Sequence, residues 1–160
     1  MFKSKLLTVI ASIIILIIII FGYVYYKHAQ SNSYEQNIKS FKVLLKQDPH
    51  NCFYMQQIAA YYSFLENFDE AIKYYNEAIK TCPNDNLSIF QLGVCHYIQG
   101  NKKTGLQYMN MAIKKAEEFG DKDLALMYEK EKEDLTRSGD KLKMYRSKLE
   151  SKKHSILNSP

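Results

Sequence analysis

The sequence predicts an all-α protein, in which one membrane-spanning helix is followed by a short stack of repeated helix pairs and by capping helices. Three observations support this fold class. An uncharged apolar run lies near the N-terminus, apolar residues then recur every three or four positions, and two helix pairs are alike at a spacing of 34 residues. Outside the apolar run, no segment shows the two-residue alternation of a half-buried strand. The 160 residues suffice for one modest domain.

The first element is the run LLTVIASIIILIIIIFGYVYY, residues 6–26, which contains no charged residue. At 1.5 Å per residue, a helix of this length spans about 30 Å, which is the thickness of a hydrocarbon core. A cleavable secretory signal is the alternative, but its apolar region would be shorter and would end in small residues. Here the run ends in Tyr23, Tyr25 and Tyr26, which are typical of an interfacial aromatic belt. The run therefore predicts an uncleaved anchor.

Basic residues flank this span on both sides. Lys3 and Lys5 lie in a short tail, residues 1–5, and Lys27 follows the span. The positive-inside rule then favours a cytoplasmic N-terminus and an exported C-terminal domain, although lysines further along the chain weaken the contrast. A cytoplasmic domain is the alternative.

The next elements are predicted from apolar spacing and from helix-end signals. A polar juxtamembrane linker, residues 27–33, precedes an amphipathic helix at about 34–46, which ends before Asp48–Pro49. Further helices are predicted at 53–65, 68–81, 87–98, 104–118, 123–136 and 140–153. The repeated domain thus covers 34–119. Residues 120–153 are expected to cap it with charged helices, and 154–160 to be disordered.

The two full repeats, residues 52–85 and 86–119, carry a recurring set of small, apolar and aromatic residues. In the first repeat these are Met55, Ile58, Ala59, Tyr62, Ala71, Tyr75, Ala78 and Pro83. In the second they are Ile89, Leu92, Gly93, Gly105, Met109 and Ala112, with His96 in place of the aromatic and Glu117 in place of the proline. The pattern and its period resemble the tetratricopeptide repeat (TPR). The resemblance implies antiparallel helix pairs that approach closely at the small residues, with 33–49 as a preceding half-repeat.

Chemical motifs are weak throughout. GNKKTG at 100–105 has the glycine spacing of a phosphate loop, but it lacks the Lys and Ser/Thr that follow and no strand precedes it, so it predicts a turn. The four histidines, His28, His50, His96 and His154, lack metal-ligand spacing. After residue 30 there are 19 of the 22 basic residues against all 17 acidic ones, a balance that does not indicate nucleic-acid binding. We predict no enzyme activity, no cofactor, no metal and no small-molecule substrate.

The TPR resemblance implies a concave groove lined by the first helix of each repeat. The residues expected there are Phe53, Gln56, Gln57, Ala60, Ser63 and Phe64, followed by Leu87, Phe90, Gln91, Val94, Tyr97 and Ile98. Family members that grip acidic chaperone tails use Lys, Asn and Arg as a carboxylate clamp; the matching positions here are Gln56, Ala60, Leu87 and Gln91, without positive charge. We therefore expect an amphipathic helix or an extended apolar peptide as the ligand, with Phe90 and Tyr97 as anchor contacts. Coverage of the groove by the C-terminal helices or by the half-repeat is the alternative.

The three cysteines form no C-x-x-C pair, which disfavours a zinc site. In the TPR arrangement, Cys52 begins the first helix of a repeat and Cys82 follows its second, so the antiparallel helices would bring them together. An exported domain would then hold a Cys52–Cys82 disulfide, whereas a cytosolic one would keep three thiols.

These predictions combine into a single-pass, membrane-anchored adaptor that presents a TPR groove to a peptide or helix of a membrane-associated protein. In layout the chain is similar to bacterial inner-membrane accessory proteins that present such repeats to the periplasm. The alternative is a structural subunit of a larger membrane complex, or a self-associating protein, with its groove permanently filled.

Overall fold

A computed structural model describes residues 2–137 of the chain, with side chains from Ile13 onward. Within this range there are six α-helices and no strand: α1 (Phe2–Gln47), α2 (Cys52–Phe64), α3 (Phe68–Thr81), α4 (Asn86–Ile98), α5 (Lys102–Glu118) and α6 (Lys122–Arg137). The all-α prediction is confirmed. The predicted helix at 140–153 and the tail at 154–160 lie outside the described residues. The chain divides into two compact units, one ending at Gln36 and the other beginning at Asn37.

The first unit is helical throughout its described part. From Ile13 to Tyr26 every side chain is exposed, and most of these side chains are large and apolar. Within the described residues, Ile13–Gln47 is the one helical stretch that is long and apolar enough to cross a membrane.

The structure differs from the predicted linker at residues 27–33, because α1 continues through it without a break. The segment KHAQSNS contains neither proline nor glycine. Its backbone donors are therefore all available to the helix, and polar side chains alone do not end one. A hydrogen-bonding contact between Asn32 Nδ2 and His28 Nδ1, 3.3 Å apart and one helical turn from each other, lies within this stretch.

The second unit begins with the last turns of α1, which pack against α2 and α3. Ile38 is buried, and the Lys42 ammonium lies beside a stacked pair of tyrosines, Tyr62 and Tyr74. The Lys42 ammonium donates a hydrogen bond of 2.8 Å to the Tyr62 hydroxyl. It also lies 5.2 and 5.5 Å from the ring centroids of Tyr62 and Tyr74. The hydrogen bond to Tyr62 raises the pKa of Lys42, so this lysine holds α1, α2 and α3 together as a cation.

Capping side chains fix where the repeat helices begin. Asn51 accepts a hydrogen bond from the backbone N–H of Tyr54, and Asp85 accepts one from that of Ser88, each at 3.2 Å. These two caps occupy equivalent positions in the two repeats, 34 residues apart. Side-chain acceptors at this position satisfy donors that the first helical turn leaves unpaired.

Small residues bring the helices of each repeat into close contact, as the TPR resemblance implies. At Gly93 of α4, an added Cβ would lie 2.7 Å from the carbonyl oxygen of Gly105 in α5 and 2.8 Å from the backbone nitrogen of Met109. Two hydrophobic clusters form the core around these contacts. One contains Ala59, Phe68, Ala71, Tyr75, Leu92, Cys95 and Ile98. The other contains Ile89, Phe90, Tyr97, Met109, Ala112, Ile113, Ala116, Ala125 and Tyr128.

Candidate functional site

The first helices of the two repeats, α2 and α4, are linked side by side. Near their N-terminal ends, Gln56 Nε2 lies 3.2 Å from both carboxylate oxygens of Asp85 and donates to them. Near their C-terminal ends, Ser63 Oγ lies 3.4 Å from Cys95 Sγ. The two helices therefore run in the same direction and form one continuous surface.

On α2 this surface is open. Phe53 and Phe64 are 57% and 62% exposed, and Gln57 and Ala60 are half-buried between them. Their spacing of four, three and four residues places all four on one face of the helix. We refer to these four residues as the open half of the groove.

Three further rings extend this surface toward α1. Phe41 lies 6.3 Å from Phe53 and 6.0 Å from both Tyr54 and Tyr61, measured between ring centroids. Tyr61 in turn lies 6.2 Å from Phe64. The repeat register did not indicate Phe41, Tyr54 and Tyr61 as site residues, although the seven-residue spacing of the two tyrosines places both on one side of α2, the side that meets α1.

On α4 the corresponding surface is closed by α6. Phe90 has no exposed area, and its ring stacks on Tyr128 with centroids 4.2 Å apart and planes 9° from parallel. Tyr97 is buried as well, and Leu135 packs against both hydrophobic clusters. The expectation that Phe90 and Tyr97 are accessible anchor contacts is therefore wrong, because α6 covers Phe90 and Tyr97 packs beside Gly105 of α5.

The remaining predicted groove residues of α4 lie at the edges of this closed half. Leu87 stays exposed, while Gln91 and Val94 are half-buried. Burial raises the pKa of Glu131 on α6, and a hydrogen bond with Gln91 opposes that shift. Burial also raises the pKa of Tyr128 to about 12, so its hydroxyl stays neutral.

The structure joins Cys52 and Cys82 in a disulfide at the N-terminal end of α2, with Cα atoms 6.2 Å apart. The third cysteine, Cys95, is a buried free thiol. Burial raises its pKa to about 11, which makes it a poor nucleophile at neutral pH. The disulfide thus lies next to Phe53 in the sequence, through Cys52, while Cys95 belongs to the core.

Titratable groups do not converge on the open half. Among the described residues, no group of three or more His, Cys, Asp or Glu side chains could hold a metal ion. His96 instead stacks on Tyr108, with ring centroids 5.7 Å apart, and burial lowers its pKa. The open half therefore offers aromatic surface and amide groups, which suit apolar contact and hydrogen bonding with a polypeptide.

No protein-family model and no curated protein matches this sequence. Solved structures do share its fold. The TPR2B domain of yeast Sti1, in its complex with pHsp70, is 19% identical with a TM-score of 0.58, over 77% of this chain and 90% of that one. The type III secretion translocator chaperone SycD of Yersinia enterocolitica is 17% identical with a TM-score of 0.59, over 72% and 80%. The TPR domain of Sgt2 from Aspergillus fumigatus is 19% identical with a TM-score of 0.53, over 81% and 76%. At these identities the likeness is one of fold, and the fold is that of a TPR domain.

Proposed function

We propose that this chain is a membrane-anchored adaptor whose open half-groove holds a peptide or an amphipathic helix of a membrane-associated protein. One observation carries the proposal: Phe53 and Phe64 are more than half exposed on the same face of α2. Large aromatic side chains in such a position supply most of the binding energy of many interfaces once a partner buries them. Gln57 lies between them and can satisfy a polar group of the bound segment.

The similar structures support a polypeptide as the ligand class. The Sti1 domain is described in a complex with pHsp70, and SycD is described as a translocator chaperone. In this chain the clamp-equivalent positions, Gln56, Ala60, Leu87 and Gln91, carry no positive charge. The proposed ligand is therefore an apolar segment, for which aromatic rings rather than cations provide the contacts.

The N-terminal apolar run supports the anchoring part of the proposal. Its side chains from Ile13 to Tyr26 are exposed, and such a surface is stable when surrounded by lipid. The lysines before the span favour a cytoplasmic N-terminus and a periplasmic TPR domain. The paired Cys52 and Cys82 favour the same side, since disulfides persist in oxidising compartments. Protease accessibility of the domain in sealed inverted and right-side-out vesicles tests this orientation.

A photoreactive residue at Phe53 in membranes of the native host tests the adaptor function. We expect it to capture a defined second protein, identified by mass spectrometry. Asn76, which is exposed on α3, is the matched control position and should not capture that protein. Equal capture from both positions, or capture of lipid alone, would contradict the adaptor function.

A permanent structural subunit is the second candidate, and the stacking of Tyr128 on Phe90 favours it, because half of the groove is already filled. The two functions differ in whether the bound partner dissociates and rebinds. A subunit would copurify with its complex in fixed stoichiometry after detergent extraction. An adaptor would lose its partner on dilution and regain it on mixing.

A further inference from the structure

We propose that residues 140–153 of this chain bind the open half of the groove and compete there with the partner. The competition rests on the proposed function, whereas the binding itself does not. Three independent features support the binding: where α6 ends, the length and pattern of the segment that follows, and its charge.

The direction of α6 follows from its contacts with α4. Tyr128 stacks on Phe90 in the first half of α4, and Leu135, two turns later, also packs against the cluster that contains Leu92, Cys95 and Ile98, which lie further along α4. Helix α6 therefore runs in the same direction as α4.

Helix α2 also runs in that direction, since Ser63 near its end meets Cys95 near the end of α4. The chain consequently leaves α6 at Arg137, on the side of the domain where Phe64 lies. A segment that turns back from there meets Phe64 first and reaches Phe53 last.

The segment that follows fits this surface in length and pattern. Ser138–Gly139–Asp140 is a turn signal with an N-cap residue, and Leu142, Tyr145 and Leu149 then recur at helical spacing. As a helix, residues 140–153 would extend about 21 Å, and Phe53 to Phe64 extends about 17 Å along α2. The apolar stripe from Leu142 to Leu149 would extend about 10 Å along that helix and so could cover more than half of the distance from Phe53 to Phe64.

Charge favours the same pairing. Residues 137–153 contain seven basic and two acidic residues. The open half itself is uncharged, and acidic residues lie near its ends: Glu66 is two residues after Phe64, and Asp85 accepts hydrogen bonds from Gln56, three residues after Phe53. A basic, apolar-striped segment thus meets an apolar surface with acidic margins.

Photocrosslinking from Phe64 in the purified full-length chain tests the binding. A mixture of isotopically light and heavy chains separates crosslinks within one chain from those between copies. We expect crosslinks within one chain to residues 140–153. In Leu142→Asp/Tyr145→Asp/Leu149→Asp their yield should fall by more than about tenfold, because three apolar contacts are lost.

The matched control is Met144→Asp/Ser147→Asp/Ser151→Asp, which adds the same charge on the opposite side of the predicted helix and should retain the crosslinks. Protection of Cys95 from alkylation verifies that each variant is folded. Absence of crosslinks to 140–153, crosslinks only between copies, or equal loss in both variants would overturn the proposal.

Partner capture from Phe53 in membranes separates this inference from the proposed function. If both hold, the Leu142, Tyr145 and Leu149 variant captures more partner than the wild type. Equal capture in both overturns the competition. No capture in either variant, with the Phe64 crosslinks intact, overturns the adaptor function and leaves the binding of 140–153 established.

Discussion

Tyr128 determines whether the groove face of α4 is accessible, because its ring lies parallel to that of Phe90 at 4.2 Å. The register of the repeats predicts Phe90 on the concave face, and in the structure its side chain is fully buried. Its burial depends on a helix that begins more than 30 residues later. Spacing within a repeat contains no information on such a contact, which is why the exposure of Phe90 could not be predicted.

Replacing Tyr128 with alanine should lower the free energy of unfolding by about 3 kcal/mol, because a fully buried ring and its stacking are lost. Tyr128→Phe keeps the ring and should cost much less. Urea unfolding followed by circular dichroism measures both. Equal effects of the two substitutions would contradict the importance of the stack.

Stability should be greatest between about pH 7 and pH 9. Burial raises the pKa of Cys95 from 9.0 to about 11 and that of Tyr128 from 10.0 to about 12. A raised pKa in the folded state means that the stabilisation is complete below the unfolded value and is lost as the pH rises above it. Burial lowers the pKa of His96 from 6.5, so stability also declines as the pH falls below that value.

Unfolding free energies at pH 5.5, 7.5 and 10.5 measure this dependence. Cys95→Ala should flatten the alkaline decline, and His96→Phe should flatten the decline between pH 7.5 and 5.5. If the free energy of unfolding falls equally between pH 7.5 and 5.5 in His96→Phe, groups other than His96 cause the decline.

At the scale of elements, the contact between α4 and α5 depends on two glycines. Gly93→Ala would place a methyl group 2.7 Å from the Gly105 carbonyl and should lower the free energy of unfolding by about 1–3 kcal/mol. Gln107→Ala, at an exposed position of α5, is the control and should change it little. Comparable unfolding midpoints for both variants would refute the close approach.

The Cys52–Cys82 disulfide should stabilise the folded domain because it closes a loop in the unfolded chain. Cys52 and Cys82 are 30 residues apart in sequence, and closing a loop of this size stabilises by about 3–4 kcal/mol on the chain-entropy model. Reductant should lower the unfolding midpoint of the wild type but not that of Cys52→Ser/Cys82→Ser. Peptide mapping that finds both cysteines alkylated before reduction would disprove the bridge.

Helix α3 was predicted to its end residues, Phe68 and Thr81, because every signal there is local: the Asn67 cap, the small-residue spacing and Pro83. Helix α1 was predicted less well. The polar segment at 27–33 has the composition of a linker, but composition alone does not interrupt backbone hydrogen bonding. On α2, the repeat register predicted Phe53 and Phe64 as groove residues, and both are exposed, whereas the ring contacts of Phe41 could not be predicted without the packing of α1.

At the scale of the whole molecule, the apolar N-terminal run should determine where the protein resides. Ile17→Lys/Ile19→Lys places two charges at the centre of the run, each at a cost of about 2.5–3.5 kcal/mol for insertion. We expect this variant to move from the carbonate-resistant membrane fraction to the soluble fraction. Tyr25→Lys, at the edge of the run, should remain membrane-bound. A soluble wild-type protein would contradict the anchor.

The open half of the groove is only one helix long, about 17 Å from Phe53 to Phe64. A contact of that size supports weak and rapidly reversible association in free solution. Two molecules held in the same bilayer, however, meet at an effective concentration that can reach the millimolar range, so weak binding suffices for high occupancy. With the proposed anchor, a single exposed repeat face would engage and release membrane-bound partners repeatedly, while binding the same sequence only weakly in bulk solvent.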